Sequence, residues 1–330
     1  VVYNTVEKIQ TFLVALILLL VIGLSILVIR GDAVSAMMEG VANIGAMPDP
    51  ATSGLSMMAL LGALAFAGAG GTTNLGQSHF IKDKGYGMGQ FIGRIVSPIT
   101  GQEEASAEVG YHFRTTPQNL SRWHRWWRAA NIEHFFSFFV TCLACLCLMS
   151  LIAYSLGYDA SGALKPGMES FGKGMNFIWG QAQAFDGNFL KVVFLLMGVA
   201  ILLTTELGLL DAVARISSDL VKMNYLRENT FWTESRLYFL FLWSEIALGV
   251  IVLSIPGFDQ PLLLLKTSAA MNGGVMFLYS LILLYMNTKI LARPLSMGPV
   301  RFVAIVWSCA FFGYFTIHAL KLEVIPFLWG

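Results

Sequence analysis

The chain has 330 residues, of which 56% are hydrophobic and only 12% are charged, and its formal net charge is +1. Soluble domains carry about 25% charged residues, so this composition predicts a membrane protein. The nearly balanced net charge gives no argument for nucleic-acid binding, and we expect no nucleic-acid partner.

Seven apolar segments are each long enough to cross the hydrocarbon core of a bilayer, which is about 30 Å thick. They are residues 9–29, 55–81, 133–156, 189–214, 236–254, 261–287 and 301–326. The sequence therefore predicts an all-α polytopic membrane protein with a single transmembrane domain over residues 1–330. Cys142 and Cys145 form a CxxC pattern, but they lie inside an apolar run, and we interpret all four cysteines as buried hydrophobic residues.

Lysine and arginine are concentrated on one side of the alternating segments. We expect the protein to lie in the cell membrane, which is the inner membrane where a cell has two. The positive-inside rule then predicts a cytoplasmic N-terminus and an extracytoplasmic C-terminus. With this orientation, residues 82–132 form a cytoplasmic loop and residues 157–188 form an extracytoplasmic loop.

The cytoplasmic loop contains SRWHRWWR at residues 121–128, in which arginine and tryptophan are mixed. This pattern is typical of an interfacial helix, with indole rings at headgroup depth and guanidinium groups on lipid phosphate. A nucleic-acid-binding patch is the alternative, and the adjacent membrane span makes it the weaker interpretation.

The second apolar segment is interrupted by GAGGTTN at residues 68–74. Glycine and threonine are poor helix formers, so we expect the helix to be discontinuous between Ala69 and Asn74. Unwound backbone in a membrane must be satisfied inside the protein, and transporters build binding sites at such breaks. The predicted site residues are Gly70, Gly71, Thr72, Thr73, Asn74 and Gln77, together with Asn272 from a second weakened stretch, Asn272-Gly273-Gly274.

Three carboxylates within apolar segments, Glu206, Asp211 and Glu245, are candidates for a proton or charge relay. Ionisable groups are costly in a bilayer and are usually functional or paired. We expect Glu206 and Asp211 to face the protein interior. Asp211 is also spaced i,i+4 from Arg215, so a purely structural ion pair is an equally good explanation for it.

These motifs resemble the Nramp divalent-metal transporters. The pair Gly62-Ala63 followed by GGTTNLGQS at residues 70–78 resembles the sixth family helix, which is unwound around Met-Pro-His-Asn-Leu. The run GLLDA at residues 208–212, followed by Ser217-Ser218, is similar to helix eight, and Met297-Gly298-Pro299 is similar to the approach to helix eleven. Asn272 falls where helix ten of the family has a polar kink.

The resemblance implies helices five to eleven of a leucine-transporter-like fold, which is a pair of inverted five-helix repeats with the site between them. The first four helices are then absent from this chain, including helix one with its Asp-Pro-Gly-Asn ligands. Gly71 and Thr73 replace the methionine and histidine of the family motif. Because the donors left at the break are all oxygens, we expect a hard cation rather than manganese or iron.

The leading hypothesis is a proton- or cation-coupled secondary transporter, a symporter, of a divalent-metal-like cation or a small polar solute. The alternative is a non-transporting integral membrane subunit that binds other membrane subunits. An enzyme is the weakest hypothesis, because the sequence has no HExxH motif, nucleophile elbow or paired histidines. We therefore expect no catalytic residue and no cofactor.

Overall fold

The computed structural model describes residues 2–43, 45–46, 57–66, 70–87, 89, 93–96, 113–166, 175–185, 187–255 and 261–325. This part of the chain is helical and contains one isolated β-bridge, between Tyr158 and Leu164. Its α-helices are α1 (Val2–Val28), α2 (Gly31–Ala42), α3 (Met57–Phe66), α4 (Thr72–Asp83), α5 (Pro117–His134), α6 (Thr141–Gly157), α7 (Met175–Gln183), α8 (Asn188–Asn224), α9 (Glu234–Ser254), α10 (Pro261–Tyr285) and α11 (Pro299–Ala319).

Six of the helical segments in the described part of the chain are long and apolar enough to cross a membrane. They are Thr5–Val28, Pro117–Gly157, Asn188–Asn224, Glu234–Ser254, Thr267–Ile290 and Pro299–Leu322. This confirms the class of polytopic, all-helical membrane protein. The remaining predicted segment, residues 55–81, forms the two short helices α3 and α4 instead of one long helix.

The predicted interfacial segment is helical and lies within α5. A π-helical stretch, Phe135–Val140, connects α5 directly to α6. In α5, an edge-on contact joins Trp126 to Tyr86, and the Arg301 guanidinium lies 4.8 Å from the centre of the Trp127 ring. Arg301 also donates a hydrogen bond of 2.9 Å to Asn131 Oδ1, so α5 is tied to the start of α11.

The chain divides into two compact units, each formed by two stretches of sequence. The first unit comprises Val1–Met47 and Ile132–Asp211, and α6 packs there against α1, α2 and α7. Its core contains buried apolar side chains from four helices and a loop, namely Val21, Leu24, Ile152, Leu156, Ala182, Phe185, Phe194 and Met197.

The second unit comprises Pro48–Asn131 and Ala212–Gly330, and α10 packs there against both α3 and α11. The predicted loosening of the sixth span at Asn272-Gly273-Gly274 is wrong, because α10 is continuous from Pro261 to Tyr285. A Cβ atom at Gly273 would lie 2.5 Å from Leu61 Cδ1. The glycine therefore allows α3 to approach closely, and this packing offsets a helix-propensity cost of about 1 kcal/mol.

Arg30 covers the carboxyl end of α6 in the first unit. Its guanidinium donates to the backbone carbonyls of Ser155, Tyr158 and Asp159 at 2.8–3.2 Å and forms an ion pair with Asp32. The hydrogen bond with the Asp32 carboxylate raises the pKa of Arg30 and lowers that of Asp32. A cation at this position satisfies carbonyls that the end of a helix leaves without partners.

Asp159 organises the turn that follows α6. Its Oδ1 accepts hydrogen bonds from the Ser161 hydroxyl and from the backbone N–H groups of Ser161 and Ala163, at 2.6–2.9 Å. The bond from the Ser161 side chain is the main reason that the pKa of Asp159 lies below its usual value. A carboxylate that gains donors on folding stabilises the fold only while it is ionised.

We expect Asp159→Asn to lower the melting temperature of the purified protein at pH 7, because the amide accepts these bonds less strongly than the carboxylate does. The folded pKa lies below the unfolded value of about 3.9, so the difference from wild type should persist above pH 4. It should shrink as the pH falls through the lowered folded pKa. Glu228→Gln, at an exposed carboxylate, is the control. A difference that stays constant across this pH range would contradict the assigned role.

Candidate functional site

The candidate site is the break between α3 and α4. Helix α3 ends at Phe66, Gly70 and Gly71 are not helical, and α4 begins at Thr72. The predicted discontinuity between Ala69 and Asn74 is therefore confirmed, although residues 67–69 lie outside the described part of the chain. Thr73 Oγ1 donates a hydrogen bond of 2.7 Å to the Gly70 carbonyl, which would otherwise lack its helical partner.

Gly71 is buried and has φ 62° and ψ −125°, a conformation that side-chain-bearing residues rarely adopt. It also contacts the second predicted element of the site. A Cβ atom at Gly71 would lie 2.0 Å from Asn272 Oδ1 and 2.9 Å from Asn272 Cβ. Only a glycine therefore allows the break to lie directly against the Asn272 amide, and the structure brings together these two residues of the predicted site.

A thioether also lies at the break. Asn74, in the first turn of α4, places its Nδ2 atom 3.0 Å from the Met276 sulfur. Met276 and Asn272 are one helical turn apart on α10, so both face the broken helix. Met276 is not among the residues predicted from sequence, although its i,i+4 spacing from Asn272 could have indicated it.

The other predicted residues of the break differ in exposure. Thr73 and Asn74 are half-buried, whereas Gln77 is exposed. Thr72 is the first residue of α4. The polar groups that could contact a ligand at the break are the Gly70 carbonyl, the Thr73 hydroxyl, the Asn74 and Asn272 amides and the Met276 sulfur.

The three predicted relay carboxylates lie in different environments. Asp211 is buried, with 3% relative exposure, as expected. Glu245 is half-buried in α9. Glu206 is exposed, so the prediction that it faces the interior is wrong.

The geometry of α8 explains this difference. At about 100° per residue, Glu206 lies half a turn around the helix from the buried Met197, whereas Asp211 returns to nearly the same face as Met197. The face of the helix, and not its apolar neighbours in sequence, decides which of the two carboxylates is buried.

Arg215, four residues after Asp211, forms a buried ion pair with Asp83 at the end of α4. The sequence does not indicate this partner, because Asp83 falls in the predicted cytoplasmic loop, residues 82–132. The described residues contain no group of three or more His, Cys, Asp and Glu side chains that could hold a metal ion. The described groups at the break are a carbonyl, a hydroxyl, two amides and a thioether, all of which are uncharged.

The chain matches no protein-family model, and comparisons with curated proteins and with solved structures likewise find no match. The class of polytopic membrane protein therefore comes from the fold itself, and the likeness to Nramp stays a prediction from sequence.

We expect Gly71→Ala to destabilise the protein, because the substitution combines an unfavourable backbone conformation, costing about 1–3 kcal/mol, with a clash against Asn272. Thermal unfolding of the purified protein measures this effect. Gly249→Ala is the matched control, since a Cβ atom there has open space around it and Gly249 lies within a helix. Equal melting temperatures for the two variants would contradict the described geometry of the break.

Proposed function

We propose that the chain belongs to a cation-coupled secondary transporter whose site lies at the break between α3 and α4. The observation that carries this proposal is the contact of Gly71 with Asn272 at an interrupted helix. A broken helix in an apolar unit exposes backbone dipoles to whatever occupies the adjacent space. Building such a break costs stability, and solute binding is the use that membrane proteins most often make of it.

The donor set modifies the expectation about the cation. The sequence places only oxygen donors at the break, and these favour magnesium, sodium or calcium. Met276 adds a thioether sulfur next to Asn74. Because thioethers prefer softer ions, we extend the proposal to divalent transition ions and treat Met276 as the residue that would set the selectivity.

Coupling to protons or to a second cation needs an ionisable group inside the protein. Asp211 and Glu245 are the remaining candidates among the predicted relay carboxylates, because they are buried and half-buried, whereas Glu206 is exposed. In the proposed orientation the N-terminus is cytoplasmic, which agrees with the positive-inside rule. On this proposal the protein is not an enzyme and lies in the cell membrane.

For the site, we expect Asn272→Ala to reduce uptake of the transported cation into proteoliposomes about tenfold, the effect of losing an interaction of about 1.4 kcal/mol. Met276→Leu should lower the ratio of manganese to magnesium uptake, because the sulfur is replaced by a methyl-bearing carbon. Met271→Leu is the matched control, since Met271 is on the same helix and 70% exposed.

Both assays use the complete polypeptide that contains this chain, with folding checked by thermal unfolding. A folded wild type that takes up neither manganese, magnesium nor sodium would overturn the proposal. The non-transporting membrane subunit would then be the better interpretation. Unchanged ion selectivity in Met276→Leu would contradict only the proposed role of the Met276 sulfur in selectivity.

For the orientation, single cysteines at two exposed positions give opposite expectations. In intact cells, Ala160→Cys in the turn after α6 should react with a membrane-impermeant maleimide, and Ser121→Cys in α5 should react only after permeabilisation. The reason is the excess of basic residues on the side that holds α5. Labelling of Ser121→Cys in intact cells would reverse the proposed topology.

A further inference from the structure

The C-terminal end of α4 belongs to a cluster of charged side chains outside the proposed site. The cluster joins α4 to α8 and to the start of α9, all within the second unit. Its six residues form three pairs: Asp83 with Arg215, Lys82 with Glu234, and His79 with Asp219. The pairs differ strongly in burial, and this difference decides which group can change its charge.

The Asp83–Arg215 pair is the most buried of the three, and its two side chains are in direct contact. Both side chains are 1% exposed, and the Arg215 guanidinium also lies 5.8 Å from the centre of the Phe80 ring and 5.6 Å from that of Tyr238. The direct contact and the aromatic rings around the guanidinium compensate the buried charges of this pair. Asp219 is the most exposed of the three acids, with a side chain that is 42% exposed.

Glu234 is less well compensated than the other two carboxylates. Its side chain is 11% exposed, and its Oε1 atom lies 3.6 Å from Lys82 Nζ, which is longer than a hydrogen bond. Among the described residues, neither Glu234 Oε1 nor Asp83 Oδ1 has a hydrogen-bond partner, although both atoms are buried. Asp83 has a cation in direct contact, whereas the cation of Glu234 lies beyond hydrogen-bonding distance, so Glu234 is the buried carboxylate that favours a bound proton.

The sum of the charges in the cluster also favours one bound proton. Asp83, Asp219 and Glu234 are three acids, whereas Lys82 and Arg215 are the two permanent cations. With neutral His79, these six side chains therefore carry one excess negative charge, which a single proton cancels. Lys82, Asp83 and Asp219 are the charged groups that act on Glu234, and two of these three are acidic.

The position of Glu234 at the start of α9 favours its ionised form, but this only partly offsets the preference for a bound proton. Glu234 is the first residue of the helix, after the N-cap residue Thr233, and the positive end of the helix dipole favours an ionised carboxylate there. Burial without full hydrogen bonding is the larger effect, because the dipole is a fractional charge, whereas ionisation of a buried acid creates a full one.

We propose that this cluster is a proton-binding site and that Glu234 holds the exchangeable proton. When Glu234 releases its proton, the Lys82–Glu234 ion pair reaches full strength and holds the end of α4 more tightly against α9. When Glu234 is protonated, only the Asp83–Arg215 pair and packing hold that end.

The consequence for transport rests on the proposed function, whereas the proton site itself does not. Lys82 and Asp83 are at the last turn of α4, and Thr73 and Asn74 are in its first turn. A helix of 12 residues is about 18 Å long and moves as one rigid piece. The proton on Glu234 would therefore control how firmly the residues at the break are held.

The test is infrared difference spectroscopy of the purified protein between alkaline and mildly acidic pH. Wild type should show the C=O stretch of a protonated carboxylic acid, and Glu234→Gln should lose most of that band. Glu228→Gln, at an exposed carboxylate, is the matched control and should keep it. A wild type without the band, or an unchanged band in Glu234→Gln, would overturn the proposal.

A second variant separates titration from a merely structural role. Lys82→Gln removes the cation that favours ionised Glu234, so the band should persist to higher pH than in wild type. A band that shifts to lower pH or stays in place would contradict the assignment. This readout remains valid if Glu234→Gln folds poorly.

Transport distinguishes the two proposals. A protein that shows the Glu234 band but takes up no cation would keep the proton site and lose the proposed function. A protein that takes up cations with no band from Glu234 would keep the function and lose this inference.

Discussion

The contact between Gly71 and the Asn272 amide fixes the point at which the broken helix meets α10. Backbone groups in an apolar environment need partners inside the protein, so a helix break is stable only where neighbouring elements supply them. Here the Thr73 hydroxyl satisfies the Gly70 carbonyl, and α10 presents an amide and a thioether to the same few residues. The close approach depends on glycine in both elements, since Gly273 admits Leu61 of α3.

Helix α4 connects two environments of opposite character. Its first turn lies at a neutral site of amide, hydroxyl and thioether groups, whereas its last turn belongs to a cluster of ion pairs with α8 and α9. Between them, Gly76 lets α4 approach Ala212 of α8, because a Cβ atom at Gly76 would lie 3.1 Å from the Ala212 Cβ. On our proton-site proposal, the charge state at one end of α4 would influence how firmly the residues at its other end are held.

The groups at the break come both from the local sequence and from a distant helix. Residues 70–77 offer only oxygen and nitrogen atoms, so a local reading of the sequence favours a hard cation. The sulfur comes from Met276, about 200 residues further along the chain. If the break binds a cation, as we propose, its preference would therefore depend on which helix packs against the break.

The sequence by itself determined the features that depend on local composition. Apolar length predicted the membrane helices, and the poor helix formers in GAGGTTN predicted the break, because propensity acts over a few residues. The mixture of Trp and Arg at residues 121–128 likewise predicted a helix, and these residues lie within α5. Helices α2 and α7 were not predicted, since they are short and lie in segments interpreted as loops.

Only the tertiary structure decided which faces are buried and which distant residues meet. The Asn272-Gly273-Gly274 stretch stays helical because α3 packs into the space that Gly273 leaves, and no local property of α10 predicts that neighbour. Glu206 is exposed and Asp211 is buried because the face of α8 on which each residue lies outweighs their shared apolar surroundings. The Asp83–Arg215 pair joins residues that are far apart in the chain, and such a partnership follows from helix packing, which a single sequence does not encode in any local pattern.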